Sequence, residues 1–180
     1  MAASPCFKLI EFTGQAILIE FRPRLRAHRG KLGEHGSDER GAEVHAASFL
    51  HRRLIILDSA LLRNKRECER ILAHEIFHFV WWKAPAIRTE YGSLIGREFI
   101  TATPGEMGWS ADWRKQALRA GDVANNSRAF REYLCESFCD SCACLLLGIS
   151  RHEEITLPAS ARKIRRHFFE ANLAGRRLKV

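Results

Sequence analysis

The segment from Asn64 to Lys83 constrains this chain most tightly. Asn64 is a good N-cap, and Glu67 follows three residues on, a capping-box-like start to a helix. Ile71, Leu72, Ile76, Phe77, Phe79 and Val80 then make the segment apolar on nearly every side, the pattern of a buried helix. Within it lies His74-Glu75-Ile76-Phe77-His78. Residues four apart share a helix face, so both imidazoles can point at one ion. Two histidines and a glutamate in a buried helix are costly unless paired or liganded. A metal site gives all three a role: two nitrogen ligands, and a carboxylate beside them that can take a proton from water at the ion. A pair of hydrogen-bonded core histidines would account for His74 and His78 but leave Glu75 without a task.

A zinc site needs a third protein ligand and one open position. The extended pattern H-E-x-x-H-x-x-G-x-x-H would place that ligand where this chain has Ala84, and its glycine where Trp81 stands, so the three-histidine class is excluded. The other main class takes a glutamate from a later helix. Ser127 to Leu147 is predicted as a long helix, capped by Ser127 and stopped by Gly148, and it offers Glu132 and Glu136. Glu136 is favoured, because Asp140 lies one turn on and can accept a hydrogen bond from the far nitrogen of a ligating histidine. Glu132 stays open as the alternative. Cys135, Cys139, Cys142 and Cys144 on the same helix read as small core residues. Cys139-x-x-Cys142 is a single pair, whereas a zinc ribbon needs two.

The chain's 180 residues and 46% hydrophobic content fit one domain with a substantial core. Residues 1–62 are expected to be mainly sheet and loop, and 63–180 mainly helical. Phe7 to Phe21 reads as two short strands or a strand and a helix, Arg22 to Gly41 as a loop, and Ala42–Phe49 and Arg53–Leu57 as strands joined near His51-Arg52. Pro85 to Gly105, with Gly92, Gly96 and Pro104, reads mostly as loop. Ala111 to Ala120 reads as a short helix, Ser150 with Glu153 as a capping-box pattern, and Pro158 to about Asn172 as a final helix. No stretch reaches the ~18 apolar residues of a membrane span. The start lacks a signal-peptide pattern, and four cysteines on one helix are poorly placed to pair with one another. Together these point to reduced thiols and a cytoplasmic protein. The formal net charge is +8, concentrated in Arg22–Arg40 and Arg162–Lys179. Such runs can bind nucleic acid but are more often solvated faces.

With both motifs placed, the chain resembles the gluzincins, metallopeptidases in which H-E-x-x-H is followed by E-x-x-x-D, here Glu136-Ser137-Phe138-Cys139-Asp140. It is most similar to small single-domain members, the minigluzincins and ImmA/IrrE-type proteases, over about Leu54 to Gly148. Arg70-Ile71-Leu72-Ala73 matches their usual approach to the motif. The resemblance implies an α+β, zincin-like fold: a small twisted mixed sheet packed on the motif helix, with a helical C-terminal half. Its edge strand, from Ala42–Phe49 or Arg53–Leu57, would pair with an extended peptide or protein substrate. It further implies one Zn2+ per chain held by His74, His78 and Glu136, Asp140 orienting a ligand, and Glu75 as general base. A donor for the developing oxyanion is expected among Tyr91, Tyr133, His152 and His167. Two other classes remain as alternatives: a non-catalytic zincin scaffold that binds a protein or nucleic acid, and a zinc hydrolase acting on something other than peptides.

Overall fold

The structure, a computed structural model, describes residues 10–28, 31–34 and 41–180. Cys6, Phe7 to Leu9, Arg29 and Arg40 lie outside the described residues. The architecture is mixed α+β with small sheets. Its organising strand is β7 (Leu54–Asp58), buried along its whole length. The run Leu54-Ile55-Ile56-Leu57 is continuously apolar because both of its faces are covered. Ile55 and Leu57 pack with Leu61 and Phe79 toward helix α1 (Lys65–Lys83), while Leu54 and Ile56 pack the other way, against Leu25. Strand β2 (Leu18–Arg22) runs parallel to β7 on one side, and β6 (Ala46–Phe49) runs antiparallel on the other. The turn between β6 and β7 falls at Leu50–Arg52, as the sequence predicts, and closes with Arg53 in the left-handed region at φ 50°.

Arg22 to Gly41 is not simply a loop. It carries β3 (Leu25–His28) and β4 (Lys31–Glu34), which form a second sheet with β5 (Ala42–Glu43) in the order β4-β3-β5. The segment's polar composition hides two residues that anchor it, Leu25 and the partly buried Leu32. Leu25 is buried on Leu54 and Ile56, and the Asp58 carboxylate accepts its backbone N–H at 2.9 Å. The expected strands in Phe7–Phe21 appear as β1 (Glu11–Thr13) and β2. Strand β1 pairs in parallel with β8 (Arg177–Lys179), which joins the two ends of the described chain.

Helix α1 starts at its Asn64 cap as predicted, with the Asn64 side chain accepting from the Glu67 N–H. Pro85 to Gly105 departs from expectation, since Pro85–Ile100 is a helix, α2. Two glycines suggested a loop, each destabilising a helix by about 1 kcal/mol. Burial of Tyr91, Leu94 and Ile95 at helical spacing outweighs this, and Pro85 occupies the first turn, where its missing N–H is harmless. Then come α3 (Trp109–Ala117), α4 (Ala120–Ala124), α5 (Arg128–Leu146, capped by Ser127) and α6 (Ala159–Asn172, preceded by Pro158). No helix begins at Ser150. That stretch is turn and irregular backbone as far as Pro158.

Helices α1, α2, α5 and α6 meet around Phe77, Tyr91, Phe138 and Phe169. Cys139 and Cys142 are fully buried there, small residues at the α1–α5 contact, and every cysteine among the described residues is a free thiol. Arg165, counted by sequence in the C-terminal basic run, is fully buried and forms no part of a basic surface. No helix among the described residues is long and apolar enough to cross a membrane.

Candidate metal centre and cleft

His74 and His78 project from the same face of α1, and their Nε2 atoms stand 3.1 Å apart. His74 Nδ1 is 2.7 Å from Asp140 Oδ1 on α5. That contact ties up Nδ1 and leaves Nε2 facing the other imidazole, the usual arrangement of a carboxylate behind a ligating histidine. Glu136 Oε2 lies 3.3 Å from the same Nε2. Two ligands about 2.0–2.1 Å from a tetrahedral zinc are roughly 3.3 Å apart, so each of these two contacts of His74 Nε2 has a spacing that suits it. Glu132 is not part of this group. It is half exposed and accepts from Arg128 at 2.7 Å.

Cys139 is a competing donor that sequence reasoning set aside. Among the described residues, His74, His78 and Cys139 form a three-donor group whose donor atoms all lie within 4.8 Å of one another. Glu136 is the donor that is already charged without an ion. Burial opposes its charge, but hydrogen bonding to His74 and the charges of His78 and His74 outweigh burial and hold it well below the usual carboxylate range. Burial pushes the Cys139 thiol far up, and a thiol must ionise before it can ligate. The ring nitrogens carry protons readily. Burial works against charged His74 and His78, yet Asp140 outweighs it at His74 and Cys135, whose Sγ is 3.3 Å from His78 Nδ1, outweighs it at His78 and raises that ring to about 9. A metal ion competes with those protons, so its affinity falls as the pH is lowered.

Glu75 points away from α5, toward β6. Its carboxylate accepts from the Ser48 hydroxyl, which also lies 3.1 Å from the Glu75 carbonyl oxygen. The site opens into a cleft of about 700 Å³. One wall is Ala42 to Ser48, the floor is α1 with His74, Glu75 and His78, and the opposite wall is α3 with Trp109, Ser110, Trp113 and Arg114. A second groove, of about 750 Å³ between α2, α4 and α5, contains Arg88 and Arg131 as its only ionisable side chains and no metal-ligating group. In the sheet, β6 pairs only with β7 among the described residues. The Asp58 N–H donates to the His45 carbonyl at 2.7 Å, which fixes the alternation of the ladder. Ala47 and Phe49 therefore exchange hydrogen bonds with β7, and the amides and carbonyls of Ala46 and Ser48 face the open edge along the cleft.

The wall formed by α3 is fastened to the centre itself. Ser110 Oγ donates to Glu136 Oε2 at 2.5 Å, and the Ala111 N–H donates to Asp140 Oδ2 at 3.2 Å. Gly108 passes so close to Asp140 that a Cβ would fall 2.4 Å from its carboxyl carbon. Gly108→Ala must displace Asp140 or lift α3. Either change loosens His74, and zinc affinity is expected to fall roughly 10–100-fold, read by competition with a chromogenic chelator.

Of the candidate oxyanion donors, Tyr91 is not brought to the site. It is fully buried, with its hydroxyl 2.9 Å from Ser137 Oγ in the core beyond α5. Tyr133 is likewise buried and donates to Glu106. His152 lies 3.4 Å from Glu67, outside the cleft lining, and His167 is exposed on α6. Of the two arginines that line the cleft, Arg70 is engaged by Glu67 and Glu154, and Arg114 lies 3.7 Å from Glu136 Oε1. Sequence reasoning missed Arg114, Ser110, Ser48 and Gly108. The available signals were slight: a serine on an expected edge strand, and Gly-Trp-Ser opening a helix.

No protein-family model, curated protein or solved structure matches this chain. What can be said of its chemistry therefore comes from the convergence of His74, His78, Glu136, Asp140 and Glu75 on one cleft floor.

Proposed function

We propose that the chain is a zinc-dependent metallopeptidase of gluzincin type, with a zincin-like fold. The observation that carries this is His74 Nε2, with His78 Nε2 at 3.1 Å and Glu136 Oε2 at 3.3 Å, beneath a cleft whose opposite lip is a strand edge left unpaired among the described residues. His74, His78 and Glu136 would hold the ion, with Asp140 behind His74 and Cys135 behind His78. When bound, zinc supplies Lewis acidity, bringing the pKa of a coordinated water toward ~7 and polarising the substrate carbonyl. Glu75 takes the proton of the attacking water at its carboxylate and passes it to the leaving amine. Ser48 holds that carboxylate in place. The β6 edge binds an extended peptide through the backbone of Ala46 and Ser48, and Arg114 is the cation placed to meet negative charge developing on the carbonyl oxygen.

The length of the cleft along Ala42 to Ser48 favours a peptide over a small molecule in a closed pocket. Metal analysis tests the proposal. Protein purified without chelator and offered zinc should bind about one ion per chain, and His74→Ala should bind none. Wild-type protein that never takes up zinc would end this reading. Loaded protein that is inert toward an unbiased peptide library would instead leave the non-catalytic scaffold.

A further inference from the structure

Trp109 and Trp113 are large apolar side chains left in solvent, 66% and 44% exposed. They stand four residues apart on α3, one turn of the same face, with ring centroids 6.2 Å apart. Both line the cleft that holds His74, Glu75 and Glu136, opposite Ala46 and Ser48. Exposed tryptophans are unfavourable in water, so a pair of them on the mouth of a cleft calls for an occupant. Their position is fixed as well as exposed. The Trp109 N–H donates to Glu154 at 3.1 Å, and the rest of the first turn of α3 is bound to Glu136 and Asp140. The Arg114 guanidinium sits 4.3 Å over the Trp113 ring and covers one of its faces. What remains is a rigid apolar plate held at a set height above the candidate centre.

Resting on the peptidase reading, we infer that Trp109 and Trp113 form a specificity subsite that receives a bulky aromatic or branched aliphatic side chain of a peptide paired along β6. The chemistry of the two walls decides the occupant. An open strand edge offers hydrogen bonds to any extended backbone, and side chains of a paired peptide alternate in direction, so some of them project toward the facing wall. That wall is two indole rings, which reward apolar and aromatic groups by area and by ring contact. The substrate class is therefore a peptide with Phe, Tyr, Trp or Leu close to the cleaved bond.

The test combines cleavage with binding. A peptide library randomised at every position is digested by zinc-loaded protein and the products are sequenced. In parallel, zinc-loaded Glu75→Gln protein captures intact peptides from the same library. Wild-type products and captured peptides should be enriched in bulky apolar residues at a fixed offset, by on the order of tenfold. Trp109→Ala with Trp113→Ala should lose that enrichment in both assays, while Trp109→Phe with Trp113→Phe keeps it. Zinc content and melting temperature, measured on each variant, should be unchanged because the rings are exposed. Cleavage without apolar preference, or a preference that survives the double alanine variant, overturns the subsite and leaves the peptidase standing. Absence of both zinc and cleavage overturns the peptidase reading instead. A wild-type dimer that becomes a monomer in the double alanine variant would show that a second copy covers the tryptophans, and would also overturn the subsite.

Discussion

Glu75→Gln should retain a full complement of zinc and lose roughly 10²–10⁴ in kcat/KM on any peptide that the wild type cleaves. The amide has the shape of the carboxylate and still accepts a hydrogen bond from Ser48, so the floor of the cleft keeps its packing. It cannot take a proton. Of the groups on the cleft floor, His74 and His78 face each other across the candidate metal position, Glu136 meets His74 there, and Asp140 is held by His74 and α3. Among these, Glu75 is the one left to move a proton. Cleavage undiminished in Glu75→Gln, with zinc content verified, would remove Glu75 from the mechanism.

A second large effect is expected far from the cleft. Arg165 of α6 is fully buried and binds Glu98 at 2.7 and 3.0 Å and Glu106 at 2.7 and 2.9 Å, with Ser137 and Ser141 of α5 completing the set. Arg165→Met leaves two buried carboxylates without their shared cation, a loss of about 3–5 kcal/mol. For a chain of this length the melting temperature should fall by roughly 6–20 °C. The difference should depend on pH in a definite direction. Burial alone would raise the Glu106 pKa, but Arg165, with Lys115 and Tyr133, outweighs it and holds the group at about 2, against 4.5 for an ordinary glutamate. A depressed carboxylate contributes its full stability above the unfolded value and loses it as pH falls toward the folded value. The gap between wild type and Arg165→Met should thus be full at pH 7 and narrow steadily below about 4.5. Thermal melts from pH 7 to pH 3 measure it, and a gap constant with pH would mean that charge pairing is not its source. The network also matters to the candidate site, because Glu106 lies two residues before Gly108, the residue that lets α3 approach Asp140.

The sequence carried the parts that depend on local spacing. His74 and His78 had to share a face once α1 was recognised, and Asn64 and Ser127 marked two helix starts that the structure keeps. Glu136 and Asp140 followed from being a turn apart on α5, and they meet His74 as that spacing suggested. Tertiary context decided what was missed. Helix α2 survives two glycines because Tyr91, Leu94 and Ile95 are buried. Strand β3 exists because Leu25 found Leu54 and Ile56, 29 and 31 residues further along the chain, from within a segment whose polar composition argued for loop. Arg165 looked like one more surface cation until Glu98 and Glu106 enclosed it. Tyr91 was a plausible donor by residue type alone, and it lies in the core. Ser48, Ser110 and Arg114 act through contacts 22 or more residues distant, and no spacing rule reports those.

Ser48 belongs to two systems at once. Its amide and carbonyl look out along the free edge of β6, while its hydroxyl holds the carboxylate of Glu75. A peptide laid along that edge would grip the backbone of the very residue that steadies the base. Occupancy and readiness would then be coupled mechanically: the hydroxyl that aims Glu75 belongs to the residue whose backbone a bound strand would pin, so a threaded substrate would stiffen the mount of its own proton acceptor.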